Sequence, residues 1–282
     1  MSTSPTAEVT SLRDFAGTLV LVGAGKMGGA MLEGWLRLGL DPARVAIIEP
    51  QPSAGISELA ARGLRLNPAM NMVREPDAIV IAVKPQNAAE IMPWLAPIVA
   101  GSTVVLSIMA GKTIGFLAEA LPHGAAIVRS MPNTPAAIGR GITVAVPNRQ
   151  VTPTQRQLAH KLLAATGTVE WVDAEALLDA VTAVSGSGPA YVFLLTESLA
   201  KAGTAAGLPP ELAERLARAT VAGSGELLHR SPLDPATLRQ NVTSPGGTTA
   251  AALDVLMADD GLDRVMRSAV AAATRRSREL AG

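Results

Sequence analysis

The stretch TLVLVGAGKMG at residues 18–28 leaves few folds open to this chain. A short β-branched run stops at Gly23, and Gly25 and Gly28 follow in the spacing GxGxxG as a helical pattern opens at 26–38. Each glycine has its own physical reason. Gly23 permits a tight turn out of the strand, Gly25 lets main chain approach a pyrophosphate, and Gly28 allows the helix to pack close on the strand, with the helix N-terminus facing the phosphate charge. Gly-rich turns are common, but this one lies between a strand and a helix and is followed by a second strand, RVAIIE. That context predicts a dinucleotide site built from Gly23, Ala24, Gly25, Lys26, Met27 and Gly28.

Glu49 ends that second strand, about 20 residues past the loop, where an acidic side chain accepts hydrogen bonds from an adenosine ribose. A 2′-phosphate there meets repulsion, which favours NADH over NADPH; the bland alternative is a glutamate turned to solvent. Lys84 follows the run AIVIAV at 78–83, and ligands in such folds bind outside the carboxyl ends of strands, so Lys84 is expected near the cofactor.

From about 18 to 172, the runs TLVLVG, RVAIIE, AIVIAV, TVVLSI, AIVRSM, GITVAV and TVEWV alternate with helical patterns such as 26–38 and 87–99. Alternation of this kind predicts a doubly wound, mostly parallel α/β sheet. Thr152 and Gln155 form a capping box, Pro153 takes the first helical position, and Gly167 is expected as the left-handed cap of that helix. After Asp173 the strand-like runs cease, and the rest reads as all helical, punctuated by SGSGP, GLPP, RSPLDP and SPGG. Asp234 with Pro235 predicts an N-cap, Gly261 divides the last two helices, and the basic run RRSRE reads as a solvated helix terminus. The organisation expected is a flexible N-terminus at 1–15, a dinucleotide-binding domain at 16–172 and a helical domain at 173–282. Helices such as 190–206 carry apolar residues on more than one face, which points to self-association.

Composition narrows the function classes. Lys plus Arg equals Asp plus Glu, 24 each, so no net field would draw nucleic acid or an anionic membrane. There is no cysteine, which removes disulfides, thiolate nucleophiles and Cys-ligated metals. His123, His160 and His229 lack metal-ligand spacing, and no metal is expected. The opening MSTSPTAEVTSLRDFAG has no run of signal-peptide length, and the apolar runs, such as AIVIAV, are too short to span a bilayer. A cytoplasmic protein is expected.

VGAGKMG (22–28), AVKPQ (82–86), SIMAGKTI (107–114), RSMPNTPAAIGRG (129–141), AVSGSGPAYVF (183–193) and NVTSPGGTT (241–249), in this order, closely resemble the pyrroline-5-carboxylate reductase family. The resemblance spans about 18 to 280. It implies an N-terminal Rossmann domain, an all-α C-terminal dimerisation domain that exchanges contacts with a partner subunit, and reduction of the cyclic imine L-1-pyrroline-5-carboxylate to L-proline with NADPH or NADH. Reduction of a C=N bond by hydride needs chiefly a cofactor held against the imine, a grip on the carboxylate and a proton for nitrogen.

In SPGGTT, Gly246 and Gly247 free the main chain to turn N–H groups inward, and a helix begins near Thr248. The resemblance implies that Ser244, Gly246, Gly247, Thr248 and Thr249 hold the substrate, with the Thr249 hydroxyl as proton relay at the ring nitrogen. Glu175 matches an acidic position near the substrate and is a second catalytic candidate; an exposed helix-start glutamate is the alternative. Ala82, Val83, Lys84, Pro85, Ala110, Asn133, Thr134, Pro189 and Asn241 are implied on the cofactor side or its cleft, with Ser187 and Gly188 beside the nicotinamide. Glu49 departs from the family pattern, and so does Met109 where alanine is common; 229–235 transfers no role. Two other readings compete. A hydroxyacid dehydrogenase would place a lysine soon after a glycine-rich helix start, whereas the nearest here, Lys201, is more than three turns beyond Ser187; a nucleotide-sensing module would not need SPGGTT.

Overall fold

In the computed structural model, which describes residues 11–281, eight strands form one sheet in the order β3-β2-β1-β4-β5-β6-β7-β8. They are β1 (Leu19–Val22), β2 (Val45–Ile48), β3 (Arg65–Leu66), β4 (Ala78–Ile81), β5 (Val104–Ser107), β6 (Ala126–Met131), β7 (Gly141–Pro147) and β8 (Gly167–Trp171). Every pairing is parallel except β6 with β7. The two-residue β3 has no strand-like run in the sequence; its pairing is with β2 alone. Helices α1 (Lys26–Arg37), α2 (Ala54–Ala61), α3 (Ala88–Leu95), α4 (Ile114–Ala120) and α5 (Pro153–Ala164) connect the strands.

The strands are continuously apolar because both faces of the sheet are covered. Leu19, Leu21, Val45, Ile47, Val80 and Leu106 join one core with Trp35 of α1 and Leu162 of α5, and the indole N–H of Trp35 donates to the Leu162 carbonyl at 2.8 Å. Val20, Val22, Ala46, Ile79, Ile81 and Val105, one residue out of phase, join a second core with Met92 of α3 and Leu117 of α4. This period of two within parallel strands ties the sheet to both helical layers at once.

The capping box on α5 forms as expected, with Gln155 N–H donating to Thr152 Oγ1 at 3.3 Å and Thr152 N–H to Gln155 Oε1 at 2.9 Å. Gly167, expected as the cap of α5, instead opens β8 at φ +145, where a Cβ would strike the Gly141 carbonyl; Ala165 is the C-cap. Residues 11–15 were expected to be flexible, yet Leu12 is buried in the first core and its N–H donates to the Leu38 carbonyl at 2.9 Å. Residues 1–10 of that expected tail lie outside the described residues.

Beyond Trp171, among the described residues, only helices follow: α6 (Leu177–Val181), a π-helical turn (Thr182–Gly186), α7 (Gly188–Ala205), α8 (Pro210–Arg230), α9 (Pro235–Asn241), α10 (Thr248–Leu256) and α11 (Leu262–Ala281). By contacts, the chain divides into two compact units. One runs up to Gly186 and resumes at Thr274; the other is Ser187–Ala273. The division falls later than 172 because Leu178 of α6 is buried with Val144 and Val146 of β7. The end of α11 belongs to the first unit, which corrects the reading of RRSRE as a merely solvated terminus. Ser277 is buried and donates to Asp179 Oδ1 at 2.8 Å, and Arg278 reaches the same carboxylate at 3.8 Å.

The second unit has little core of its own. Its buried apolar side chains are Ala213 and Ala217 of α8, and α7, α9 and α10 bury none. Phe193 (68% exposed), Leu194, Val255 (72%) and Met257 face outward, and a 670 Å³ cavity lined by Val192, Phe193, Val221 and Ala222 runs along α7 and α8. The segment 177–205 is also long and apolar enough, by length and composition, to cross a membrane. This corrects the expectation that every apolar run is too short: SGSGP does not break the pattern, since the π-helical turn and Pro189 near the start of α7 carry helix through it.

Candidate active site

Strand order reverses between β1 and β4, and the loops at the carboxyl ends of β1, β2, β4, β5 and β6 gather there. Gly23 leaves β1 at φ +88, its N–H donating to the Ile48 carbonyl at 2.9 Å, and a Cβ on it would lie 2.7 Å from the Ala82 oxygen. At Gly28 a Cβ would strike the Gly23 carbonyl, so glycine there is a packing requirement. Gly25 has open space around the Cβ position and is the N-cap of α1 with no side-chain cap, which leaves first-turn N–H groups for an anion. These observations fit a dinucleotide pyrophosphate over Gly23–Gly28.

Glu49 is not turned away to solvent. Its Oε2 accepts from the Ala24 N–H at 2.8 Å and its Oε1 from the Gln51 N–H at 3.0 Å. Ala82 N–H donates to the Val22 carbonyl at 2.7 Å, and Val83, Lys84 and Pro85 continue from it, with Lys84 exposed at the start of a short 3-10 turn. Past β5, Ala110 is exposed and Met109 is buried in the second core, so its bulk fills the protein interior beneath the loop. Past β6, Asn133 Oδ1 accepts the Ile142 N–H at 3.0 Å, which ties the MPNTP loop to β7. A Cβ on Gly186 would lie 2.7 Å from Met131 Cε, so the end of the π-helical turn packs against the end of β6.

Glu175 lies in the first unit. Its Oε1 accepts from Arg129 Nη1 of β6 at 2.7 Å and from the Ile114 N–H at 2.8 Å, the first residue of α4. Arg129 is nearly fully buried, and Glu175 is 30% exposed. Arg129 was missed because an arginine inside an apolar strand run carries no mark of its partner. Asn67 was missed too, although the Asn-Pro pair at 67–68 marks a turn. It lies at φ +46, its Oδ1 accepts the Glu49 N–H at 2.8 Å, and its Nδ2 donates to the Glu49 carbonyl at 2.9 Å.

In the second unit, Gly246 takes φ +68 and Gly247 is the N-cap of α10 without a side-chain cap. The turn is closed by Gly247 N–H donating to the Ser244 carbonyl at 3.0 Å. The first-turn N–H groups beside Thr248 and Thr249 are therefore available to an anion such as a carboxylate. Pro189 is in the first turn of α7, and Asn241 is the exposed last residue of α9. Lys201 is largely exposed and paired with Glu197 at 2.6 Å, which leaves the hydroxyacid dehydrogenase reading without its lysine. His160 Nδ1 accepts from the Trp171 indole at 3.2 Å, a packing role. The 520 Å³ cavity lined by Met70, Arg74, Glu75 and Pro97 is formed by segments that lead into the amino ends of β4 and β5, away from these loops.

A Rossmann sheet with this loop and an acidic residue at the end of β2 defines a nicotinamide dinucleotide-dependent oxidoreductase. Residues 18–111 match a family model described as NADP oxidoreductase, coenzyme F420-dependent, and residues 175–280 match one described as pyrroline-5-carboxylate reductase dimerisation. A pyrroline-5-carboxylate reductase of Pseudomonas aeruginosa is 38% identical over 93% of this chain and 96% of its own. The solved structure of one from Coxiella burnetii superposes with a TM-score of 0.87 at 32% identity, over 94% of this chain and 99% of that one. Another, from Plasmodium falciparum with NADP bound, gives 0.79 at 30% identity, over 95% and 99%. The chain belongs to the pyrroline-5-carboxylate reductase family.

Proposed function

We propose that this protein reduces L-1-pyrroline-5-carboxylate to L-proline with NADPH or NADH, the last step of proline biosynthesis. The observation that carries this reading is one chain holding both an uncapped glycine-loop helix for a dinucleotide and an uncapped SPGGTT helix start for a small carboxylate. When bound, the nicotinamide supplies a hydride to the C=N carbon.

The chain's own residues do the rest. Gly23, Ala24, Gly25, Lys26, Met27 and Gly28 seat the pyrophosphate. Ala82, Val83, Lys84, Pro85 and Ala110, with Asn133, flank the cofactor. Ser244, Gly246, Gly247 and Thr248 hold the substrate carboxylate through N–H groups and hydroxyls, and the Thr249 hydroxyl hydrogen-bonds the ring nitrogen and relays to it a proton taken up from bulk water. Glu175 serves as a positioning residue: its carboxylate takes both the Arg129 and Ile114 donors, so it holds the start of α4 and the loop that carries Ala110. The protein self-associates through its helical domain as a dimer or an assembly of dimers, and that interface accounts for the apolar face of α7 without a membrane. No nucleic acid partner is proposed, and the site of action is the cytoplasm.

The test follows nicotinamide absorbance with purified protein, pyrroline-5-carboxylate and each cofactor in parallel, with proline measured as product. Proline formation with either cofactor is the expected result. Cofactor binding without turnover would overturn the reading in favour of a nucleotide-sensing module.

A further inference from the structure

We infer that Glu49 and Asn67 together make the dinucleotide site selective for the cofactor with a free 2′ hydroxyl on its adenosine ribose, NADH, with Glu49 as the specificity residue and Asn67 as the residue that positions it. The inference rests on the dinucleotide site of the proposed function and not on the imine substrate.

Three observations carry it. Glu49 is bound to the glycine loop through Ala24 and to its own turn through Gln51, so its carboxylate is held at the carboxyl end of β2. There it can accept the two ribose hydroxyls, since each carboxylate oxygen retains a lone pair after one backbone bond. Second, Asn67 closes both ends of its amide on the Glu49 main chain, while its own N–H donates to the Ile47 carbonyl at 2.7 Å. It does so from the left-handed region, which Asn tolerates better than other side chains. The clamp removes freedom from the turn before any ligand arrives, and preorganisation of that kind is realised as affinity.

Third, a 2′-phosphate would find no counter-charge on the segment that flanks it. No Lys or Arg occurs between Arg44 and Arg62. Arg44 is committed to the Ala16 carbonyl at 2.6 Å, ahead of β1, and Arg62 caps the far end of α2. The main chain of Arg65 pairs with Ala46, about 10 Å back along β2 from Glu49 at some 3.3 Å per residue, and its Nε is buried without a hydrogen-bond partner among the described residues. The phosphate would bring about two negative charges against a carboxylate held in place by two backbone hydrogen bonds.

Calorimetric titration of NADH and NADPH into the full-length protein, with no imine present, tests this directly, using the wild type, Glu49→Gln and Asn67→Gly. Asn67→Gly keeps the left-handed backbone and removes only the clamp. The wild type should bind NADH at least about tenfold more tightly. Glu49→Gln should narrow that ratio mainly by improving NADPH. Asn67→Gly should narrow it mainly by weakening NADH, raising KM for NADH with kcat at saturation retained. Equal or tighter NADPH binding by the wild type would overturn the inference, as would an Asn67→Gly variant whose two affinities change by one common factor. Failure to form proline with the binding ratio intact would instead overturn the reductase reading and leave this one standing.

Discussion

Thr249 and Glu175, the two catalytic candidates of the sequence, lie in different circumstances in the structure. Thr249 follows the uncapped start of α10, and in the reductase reading its hydroxyl touches the reacting nitrogen. Thr249→Ala should therefore lower kcat/KM at least about a hundredfold, the usual worth of a positioned proton donor, with both cofactor affinities retained and Thr249→Ser restoring most of the rate. An unchanged rate would remove Thr249 from the mechanism. Glu175 instead closes a nearly buried ion pair. Glu175→Ala strands the Arg129 charge and should cost about 2 kcal/mol in urea unfolding, the penalty moderated by the partial exposure of Glu175. Glu175→Gln still offers a carbonyl to both donors and should cost about 1 kcal/mol. A Gln variant that unfolds like the wild type but has lost turnover would return the carboxyl group to a direct role in proton delivery. Nothing in the residues around Glu175 announced its partner, because Arg129 is distant in sequence and meets it only once β6 and the segment after β8 are in place.

At the scale of elements, end signals were the most legible features. The capping box at Thr152, the Asp234 cap and the glycine turn at Gly23 all appear where local chemistry puts them. Asp234 Oδ2 accepts the Thr237 hydroxyl at 2.7 Å and its Oδ1 the Thr237 N–H at 3.0 Å, and these bonds hold its carboxyl below the ordinary aspartate value. Gln155 does more than cap α5: its amide nitrogen also donates to the Gly101 and Ser102 carbonyls at 3.2 Å each. Thr152→Ala should thus cost about 1 kcal/mol as a lost cap. Gln155→Ala, which also leaves carbonyls of the loop before β5 without a partner, should cost about 2 kcal/mol. Equal losses in urea titrations would show that the loop contacts contribute nothing, and the double variant should fall short of additivity because the two side chains share one motif. Gly167 was misplaced by the same local reasoning, because a glycine after a helix reads as a cap until β7 arrives beside it.

For the whole molecule, the second unit poses an energetic problem that the isolated chain does not solve. Each outward Val, Leu or Phe on α7 forgoes about 1.5–3 kcal/mol relative to burial. A self-associating helical domain recovers that stabilisation between copies, and stability linked to association depends on concentration. The thermal midpoint should rise with protein concentration, and Phe193→Asp should yield a smaller species by light scattering with weakened α-helical ellipticity. A monomer at micromolar concentration whose midpoint ignores dilution would contradict this account.

The sequence by itself determined whatever depends on neighbours along the chain: strand runs buried on both sides, helix caps, the glycine loop that opens onto α1, and the loss of strands after Asp173. Six ordered motifs also carry the resemblance to the family. Only the tertiary structure decided which distant residues share a bond. It paired Glu175 with Arg129, turned Met109 into the core, returned the end of α11 to the first unit, and locked Glu49 against the glycine loop through Asn67. The physical reason is that hydrogen-bond partners and packing neighbours are set by strand order and register, and a local window of sequence holds neither.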